Sequence, residues 1–281
     1  MVAAARGAAR CSRSLPRSSP RGCRCPGGAG AVSALAGDLA SALDPVVFAR
    51  GSGFDAETWQ QRLLRSQAKR ALVLCARQVG KTQTVSHKAL HTALYTPKRD
   101  VLIVSPTQRQ SDEMLLRVSS LFKGMREQPR LKRDNASEMS LANGSRVVSL
   151  PGSEGGIRGF SGVKLLILDE ASRIDDDVFA SVLPMVASDG QILALSTPWG
   201  RRGWFYDLHE DPVNAWERHK VTVYESEQYT PARIKEVRDS LGSFVFGSDY
   251  ECIFGDTDTQ LFGTEHVRAA FSRAVKPLEF T

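Results

Sequence analysis

Four short apolar runs constrain this chain more than any other feature: ALVLC (71–75), DVLIVSP (100–106), KLLILDE (164–170) and QILALSTP (191–198). Each is almost continuously apolar, and each breaks abruptly into polar residues. A strand that is apolar on both faces cannot turn either face to water. It belongs in a mostly parallel sheet with helices on both faces, which makes the chain an α/β protein. In such sheets ligands bind beyond the carboxyl ends of the strands. That edge is where CARQVGKT, SPTQRQ, DEAS and STPWG all fall.

The segments between these runs fit the same plan. VSALAGDLASALDPVVFA and WQQRLLRSQAKR have helical spacing, a helix is expected from Gly80 to about Tyr95, and another through SDEMLLRVSSLF. SEMSLANGSRVVSLPG reads as an inserted β-hairpin turning at Asn143-Gly144. WERHKVTVYES supplies a last strand, and a helix follows Pro231.

The net charge of +6 does not by itself imply a nucleic-acid partner. Residues 1–37 carry six arginines and no acid, and the remainder is balanced. Residues 1–31, rich in Arg, Ser, Pro and Gly, cannot build a core and are expected to form a disordered tail. That composition fits a plain tail, or a start codon assigned too far upstream, better than an organelle transit peptide. The stretch lacks the apolar centre of a secretory signal, and no run approaches the roughly 18 residues of a membrane-spanning helix. Five cysteines without a CxxC pair support neither a zinc site nor a disulfide framework, in keeping with a reducing compartment.

CARQVGKT follows a strand and opens a helix, which is the setting of a phosphate-binding loop. Backbone N–H groups of residues 75–82 would seat an anion at the helix start. Gly80 permits close approach, Lys81 would reach the β- and γ-phosphates, and the Thr82 hydroxyl would hold Mg²⁺. Cys75 stands where the usual pattern has glycine, a position that starts the turn and tolerates a small side chain. LLILDEA places two carboxylates at the end of a buried strand, which is costly without a function. Asp169 would serve the Mg²⁺ shell and Glu170 would deprotonate an attacking water. The alternative for this pair is an acidic first turn of a helix.

Taken together these segments resemble the ATPase domain of the large subunit of tailed-phage DNA-packaging terminases. The matching residues are WQ at 59–60, ARQVGKT at 76–82, SPTQRQS at 105–111, LANGS at 141–145, GIRGFSGVKLLILDEA at 156–171 and LALSTPWGRRGWFYDL at 193–208. The resemblance implies a P-loop NTPase fold of the RecA/ASCE type and ATP with Mg²⁺ as ligands. In that family the first loop position is often not glycine. It implies an adenine contact for Gln60 and a cis arginine finger for Arg77, within a loop formed by Cys75, Ala76, Arg77, Gln78, Val79, Gly80, Lys81 and Thr82. It further implies a trans finger for Arg158 and a coupling role for Thr197. An arginine finger contributes about 10³–10⁵ in rate. Implied partners are double-stranded DNA, a portal protein, a small terminase subunit and further copies in a ring. The implied setting is the host bacterial cytoplasm, transiently on the procapsid portal. For Gln60 a solvated helix residue is the alternative, and for Arg158 a surface charge.

The expected domains are the tail at 1–31, a P-loop ATPase domain at 32–245 and a hinge at 246–281 leading into a truncated nuclease region. Asp256 and Asp258 precede any nuclease strand, so no DNA cleavage is expected of this chain. Two alternatives stay open. A superfamily 2-like helicase fragment shares the phosphate loop and an STP-like strand, but too few residues follow Pro198 for its second lobe. A truncated prophage product could bind nucleotide without packaging. His87 and His91 have zinc-ligand spacing but lack a glutamate between them and a third ligand, so packing or solvation is expected. Asp175, Asp176 and Asp177 are expected to cap the helix that begins there.

Overall fold

A computed structural model describes residues 28–152 and 159–255 together with Ala270. The chain divides into one unit ending at Asp38 and a second from Leu39 onward. Arg158, Asp256, Asp258 and most of the expected tail lie outside the described residues.

Helices α1 (Gly28–Leu43), α2 (Pro45–Gly51) and α3 (Thr58–Arg65) precede β1 (Arg70–Cys75). α1 begins ahead of the Val32 boundary suggested by composition. There follow α4 (Lys81–Tyr95), β2 (Asp100–Ser105), α5 (Gln108–Lys123), β3 (Leu131–Asp134), β4 (Glu138–Leu141), β5 (Arg146–Pro151) and β6 (Val163–Asp169). A 3-10 turn at Ala171–Arg173 leads to α6 (Asp176–Val182), β7 (Val186–Ser196), α7 (Gly203–Glu210), β8 (Glu217–Val221) and α8 (Pro231–Asp249). α8 continues past residue 245 and is kinked at Gly242, where φ is +73°. Among the described residues no helix is long and apolar enough to cross a membrane.

One eight-stranded sheet runs in the order β3-β4-β5-β2-β6-β7-β1-β8. The pairings from β5 to β8 are parallel, and β3–β4 and β4–β5 are antiparallel. In β1, β2 and β6 residues pointing to both faces are buried, so both faces are covered, as continuous apolar runs require. The Asn143-Gly144 hairpin is not a separate insertion. Its second strand pairs with β2 and thereby extends the main sheet. The added edge, β3, carries Lys132, Arg133 and Asp134 outward, a polar composition that gave no strand signal.

Two tertiary ties fix helix ends that sequence periodicity left open. Helix α3 ends at Arg65, short of the stretch whose spacing suggested a longer helix. Buried Lys88 of α4 donates to the carbonyls of Leu63, Leu64 and Ser66 at 3.1, 3.0 and 2.8 Å, satisfying the chain end that further helical turns would have satisfied. At the other end of α4, Asn143 Nδ2 donates to the carbonyls of Ala93 and Leu94, and its Oδ1 accepts from Ser145 N. The turn residue therefore caps a helix as well as shaping the hairpin. Asn143→Ala is expected to cost about 1–3 kcal/mol, because two carbonyls lose their donor together. A shift of less than about 1 °C in the melting temperature would show that water replaces the amide without loss.

The two histidines of α4 pack, as expected. His87 stacks on Phe54 with ring centroids 4.6 Å apart, and its nitrogens lie 2.9 Å from Ser52 Oγ and 2.8 Å from the Gln83 carbonyl. His91 lies edge-on to Phe48, with Nε2 3.0 Å from the Ser41 carbonyl. Asp175 occupies the N-cap position of α6 without a side-chain cap bond. Asp176 instead accepts from the backbone N–H of Trp204 at 3.0 Å, tying α7 to α6.

Candidate active site

The loop after β1 closes onto α4 through Gly80, whose φ of +87° lies in the left-handed region. Glycine is favoured by that conformation; a Cβ there would also stand 2.7 Å from Gln60 Nε2 and 3.2 Å from Gln228 Nε2, so both amides would have to shift. Gln78 also has positive φ, at 57°. Cys75, Ala76 and Val79 send their side chains into the core, which leaves only their backbone to the loop. The Cys75 thiol lies 3.8 Å from the Ser196 carbonyl, and burial pushes its pKa up to about 12. It is an inert packing group, which is why cysteine can stand in the glycine position.

Lys81 leaves the first turn of α4 and bonds Glu170 Oε1, while its Nζ stands 3.9 Å from Asp169 Oδ1. The cation on one strand-end and the acidic pair on another therefore meet at one sheet edge. β6 is separated from β1 by β7 alone, and the Asp169↔Leu195 pairing sets the acids level with the end of β7. Burial pushes the pKa of Asp169 up to about 6; the ammonium of Lys81 opposes that rise and the Glu170 carboxylate adds to it. For Lys81, burial pulls the pKa down, and the neighbouring Cys75 sulfur with the Asp169 and Glu170 carboxylates more than offsets it, leaving a net rise. Asp169 Oδ1 is buried and has no hydrogen-bond partner. An orphaned carboxylate oxygen suits a hard cation that takes oxygen ligands and completes its shell with phosphate and water, and half-buried Thr82 directly follows Lys81 in the first turn of α4. Among the described residues no cluster of three or more His, Cys, Asp or Glu could hold a metal, so any cation here depends on such outside ligands.

Glu170 sits in the left-handed region, with φ 51° and ψ 44°, at the head of the 3-10 turn. Glutamate in that conformation costs on the order of 1–3 kcal/mol and persists only where neighbours enforce it. Thr197 is buried just past the end of β7, the strand whose Leu195 pairs with Asp169. Its carbonyl accepts from Ser172 Oγ at 2.9 Å.

Arg77 and Gln60, two residues expected at the nucleotide, are both held by protein groups around the loop. Arg77 is half exposed, and its Nε bonds Asp249 Oδ2 at 3.0 Å. Its backbone N–H donates to the Asp249 carbonyl, and its carbonyl accepts from Tyr229 Oη. The carboxylate at the end of α8 thus holds the guanidinium. Gln60 is 1% exposed, so it is not a solvated helix residue. Its Oε1 accepts from Glu57 N at 2.8 Å and its Nε2 lies 3.4 Å from the Val79 carbonyl, which places the amide against the back of the loop. Ser172, Gln228, Tyr229 and Asp249 went unforeseen. Ser172 lies within DEAS and could have been found there; the other three reach the loop from far along the chain.

The model of the terminase large subunit, T4-like-virus type, N-terminal part, matches residues 72–268. The chain belongs to that family. The terminase large subunit of Thermus phage G20c is 28% identical, over 56% of this chain and 36% of that protein. The chain thus spans about a third of the length of the curated relatives it matches. The large terminase ATPase domain of Thermus phage P74-26 superposes with a TM-score of 0.59 at 22% identity, covering 74% of this chain and 97% of that one. The large terminase of a thermophilic bacteriophage, in complex with ADP, gives a TM-score of 0.59 at 10% identity, over 71% of this chain and 54% of that one. Identities this low speak for the fold: a terminase ATPase-domain fold of the P-loop type.

Proposed function

We propose that this chain hydrolyses ATP and that the hydrolysis moves double-stranded DNA into a procapsid. The meeting of Lys81 with Asp169 and Glu170 at the mouth of the Gly80 loop carries this reading. Backbone N–H groups of the loop and the Lys81 ammonium hold the phosphates. Thr82 and Asp169 would hold Mg²⁺, which neutralises charge on the transferring phosphoryl group. Lys81 now neutralises Glu170; when it turns to the phosphates it frees that carboxylate to act as a base. Glu170 accepts a proton from water as the new O–P bond forms at the γ-phosphorus. The bond to the β-phosphate oxygen breaks, leaving ADP and phosphate. Family membership supports a portal protein, a small terminase subunit and a ring of copies as partners, in the host cytoplasm. Arg158 remains the proposed trans finger, and Gln60 the proposed adenine contact.

The sheet edge at β3 supports the DNA part of the proposal. Between residues 117 and 134 lie Arg117, Lys123, Arg126, Arg130, Lys132 and Arg133, against only Glu127 and Asp134. Arg126, Arg130 and Lys132 are exposed and form no ion pair among the described residues, whereas Lys123 pairs with Asp134 and Arg133 with Glu138. Lys132 lies on the edge strand and Arg126 and Arg130 in the loop that leads into it, and unpaired cations so exposed are ready contacts for phosphate. The wild-type chain should release phosphate from ATP with Mg²⁺, faster when duplex DNA is present. Replacing Arg126, Arg130 and Lys132 together by alanine should weaken duplex binding and lower the salt slope of log K by up to about 3, since each phosphate contact contributes about 0.9. Turnover without DNA should stay at the wild-type level. No phosphate release in any condition would overturn the hydrolase reading, and an unchanged salt slope would remove this edge from the DNA path.

A further inference from the structure

Ser172 makes three bonds to the end of the neighbouring strand. Its backbone N–H donates to Ser196 Oγ at 3.1 Å, the two hydroxyl oxygens stand 2.6 Å apart, and its own Oγ reaches the Thr197 carbonyl at 2.9 Å. The donor count fixes the directions. The Thr197 carbonyl can only accept, so the Ser172 hydroxyl donates to it, and the Ser196 hydroxyl donates to Ser172 Oγ. Ser196 Oγ in turn accepts from Ser172 N–H, closing a ring in which every polar atom is matched. Ser196 is fully buried, so this ring is shielded from competing water.

The position of the ring matters more than its strength. Ser172 follows Glu170 by two residues, and Glu170 carries the positive φ of 51°. Two backbone bonds, from Arg173 N–H to the Glu170 carbonyl at 2.9 Å and from Ile174 N–H to the Ala171 carbonyl at 3.2 Å, close the turn on itself without tying it to β7. The Ser172 ring is what anchors that turn to β7. We infer that Ser172 is a positioning residue for Glu170: it holds the acid in its left-handed conformation by tying the 3-10 turn to Ser196 and Thr197. The same ring joins the acidic pair to the strand that leads into Thr197, so movement at either end is felt at the other. This rests on Glu170 being the base of an ATP hydrolase.

The test compares Ser172→Ala, Ser172→Thr and Ser196→Ala with wild type for ATP turnover, KM, binding of a fluorescent ATP analogue and melting temperature. Misplacing a reacting group by about 1 Å lowers rate on the order of 10²-fold. Ser172→Ala should therefore lower kcat roughly 10- to 100-fold, with KM and analogue binding within about two-fold of wild type. Ser172→Thr, which keeps the hydroxyl, should recover most of the rate. Ser196→Ala should lower kcat as well, and the double variant should be no worse than the more severe single one, because the ring acts as a unit. An active wild type with Ser172→Ala at full rate overturns this inference alone. So does parallel loss of rate, binding and melting temperature in both alanine variants, or a Ser172→Thr no faster than Ser172→Ala; each marks a merely structural contact. A wild type without turnover overturns the hydrolase reading and this inference with it.

Discussion

Glu170→Gln is expected to lower ATP turnover by about 10²–10⁴-fold while the complex with Mg²⁺ and ATP still forms. That range corresponds to roughly 3–5 kcal/mol in the barrier. Glutamine has nearly the same shape and its Oε1 can still accept from Lys81, so the loop is not deprived of its partner. It cannot take a proton from water. The substitution also removes one of the two carboxylates crowded at the end of β6. The Glu170 charge is among the causes that raise Asp169, so the pKa of Asp169 should fall from about 6, leaving a better cation ligand at neutral pH. Nucleotide binding should thus hold or tighten as turnover collapses, a combination that simple unfolding cannot produce. Lys81→Ala supplies the contrast, losing binding and turnover together. Turnover of Glu170→Gln within about three-fold of wild type would remove Glu170 from the base role, because a general base contributes at least about 10².

What the sequence disclosed and what it withheld divide by the range of the interaction. The central strands were legible because an apolar residue at every position has only one stable place, inside a covered sheet. The polarity of their ends then located the site, and with it the convergence of Lys81 on Asp169. β3 was hidden because an edge strand covered by water can be lysine and arginine. α7, in GWFYDLHE, was not singled out; Trp204 and Phe205 bury there, and Trp204 stacks on Phe179 with centroids 3.7 Å apart. Arg77 was legible as a loop cation, but not its partner, because Asp249 lies on α8, far along the chain. Cys75 looked like an irregularity of the loop and is a buried packing group of the strand. Burial is a property of the assembled fold, and spacing does not encode it at a boundary residue.

Lys88 is a residue that helical spacing does not single out, since a lysine in an amphipathic helix ordinarily points to water. Here its relative exposure is 6%, and the ammonium faces three carbonyls. Burial drives its pKa down to about 8, and Glu217 partly opposes the fall. The group therefore remains charged at pH 7, with three protons for three acceptors. Lys88→Met keeps the apolar stem and removes the donors. The Leu63 and Ser66 carbonyls retain other partners, from Ser66 N–H and Gln191 Nε2, while that of Leu64 is left bare. A loss of about 2–4 kcal/mol is expected at pH 7, reduced from a sum over three bonds by the desolvation the ammonium no longer suffers. The pH dependence distinguishes this account from loss of packing. A lysine whose folded pKa is depressed binds fewer protons in the native chain than in the unfolded one between about 8 and 10.5. Wild-type stability should consequently gain from this group as pH rises through that window, by at most on the order of 3 kcal/mol. Lys88→Met should lack that gain, so the gap between the two proteins widens from pH 8 to pH 10. Chemical denaturation at both pH values measures it, and a gap that stays constant would mean that the ammonium titrates as it does in water.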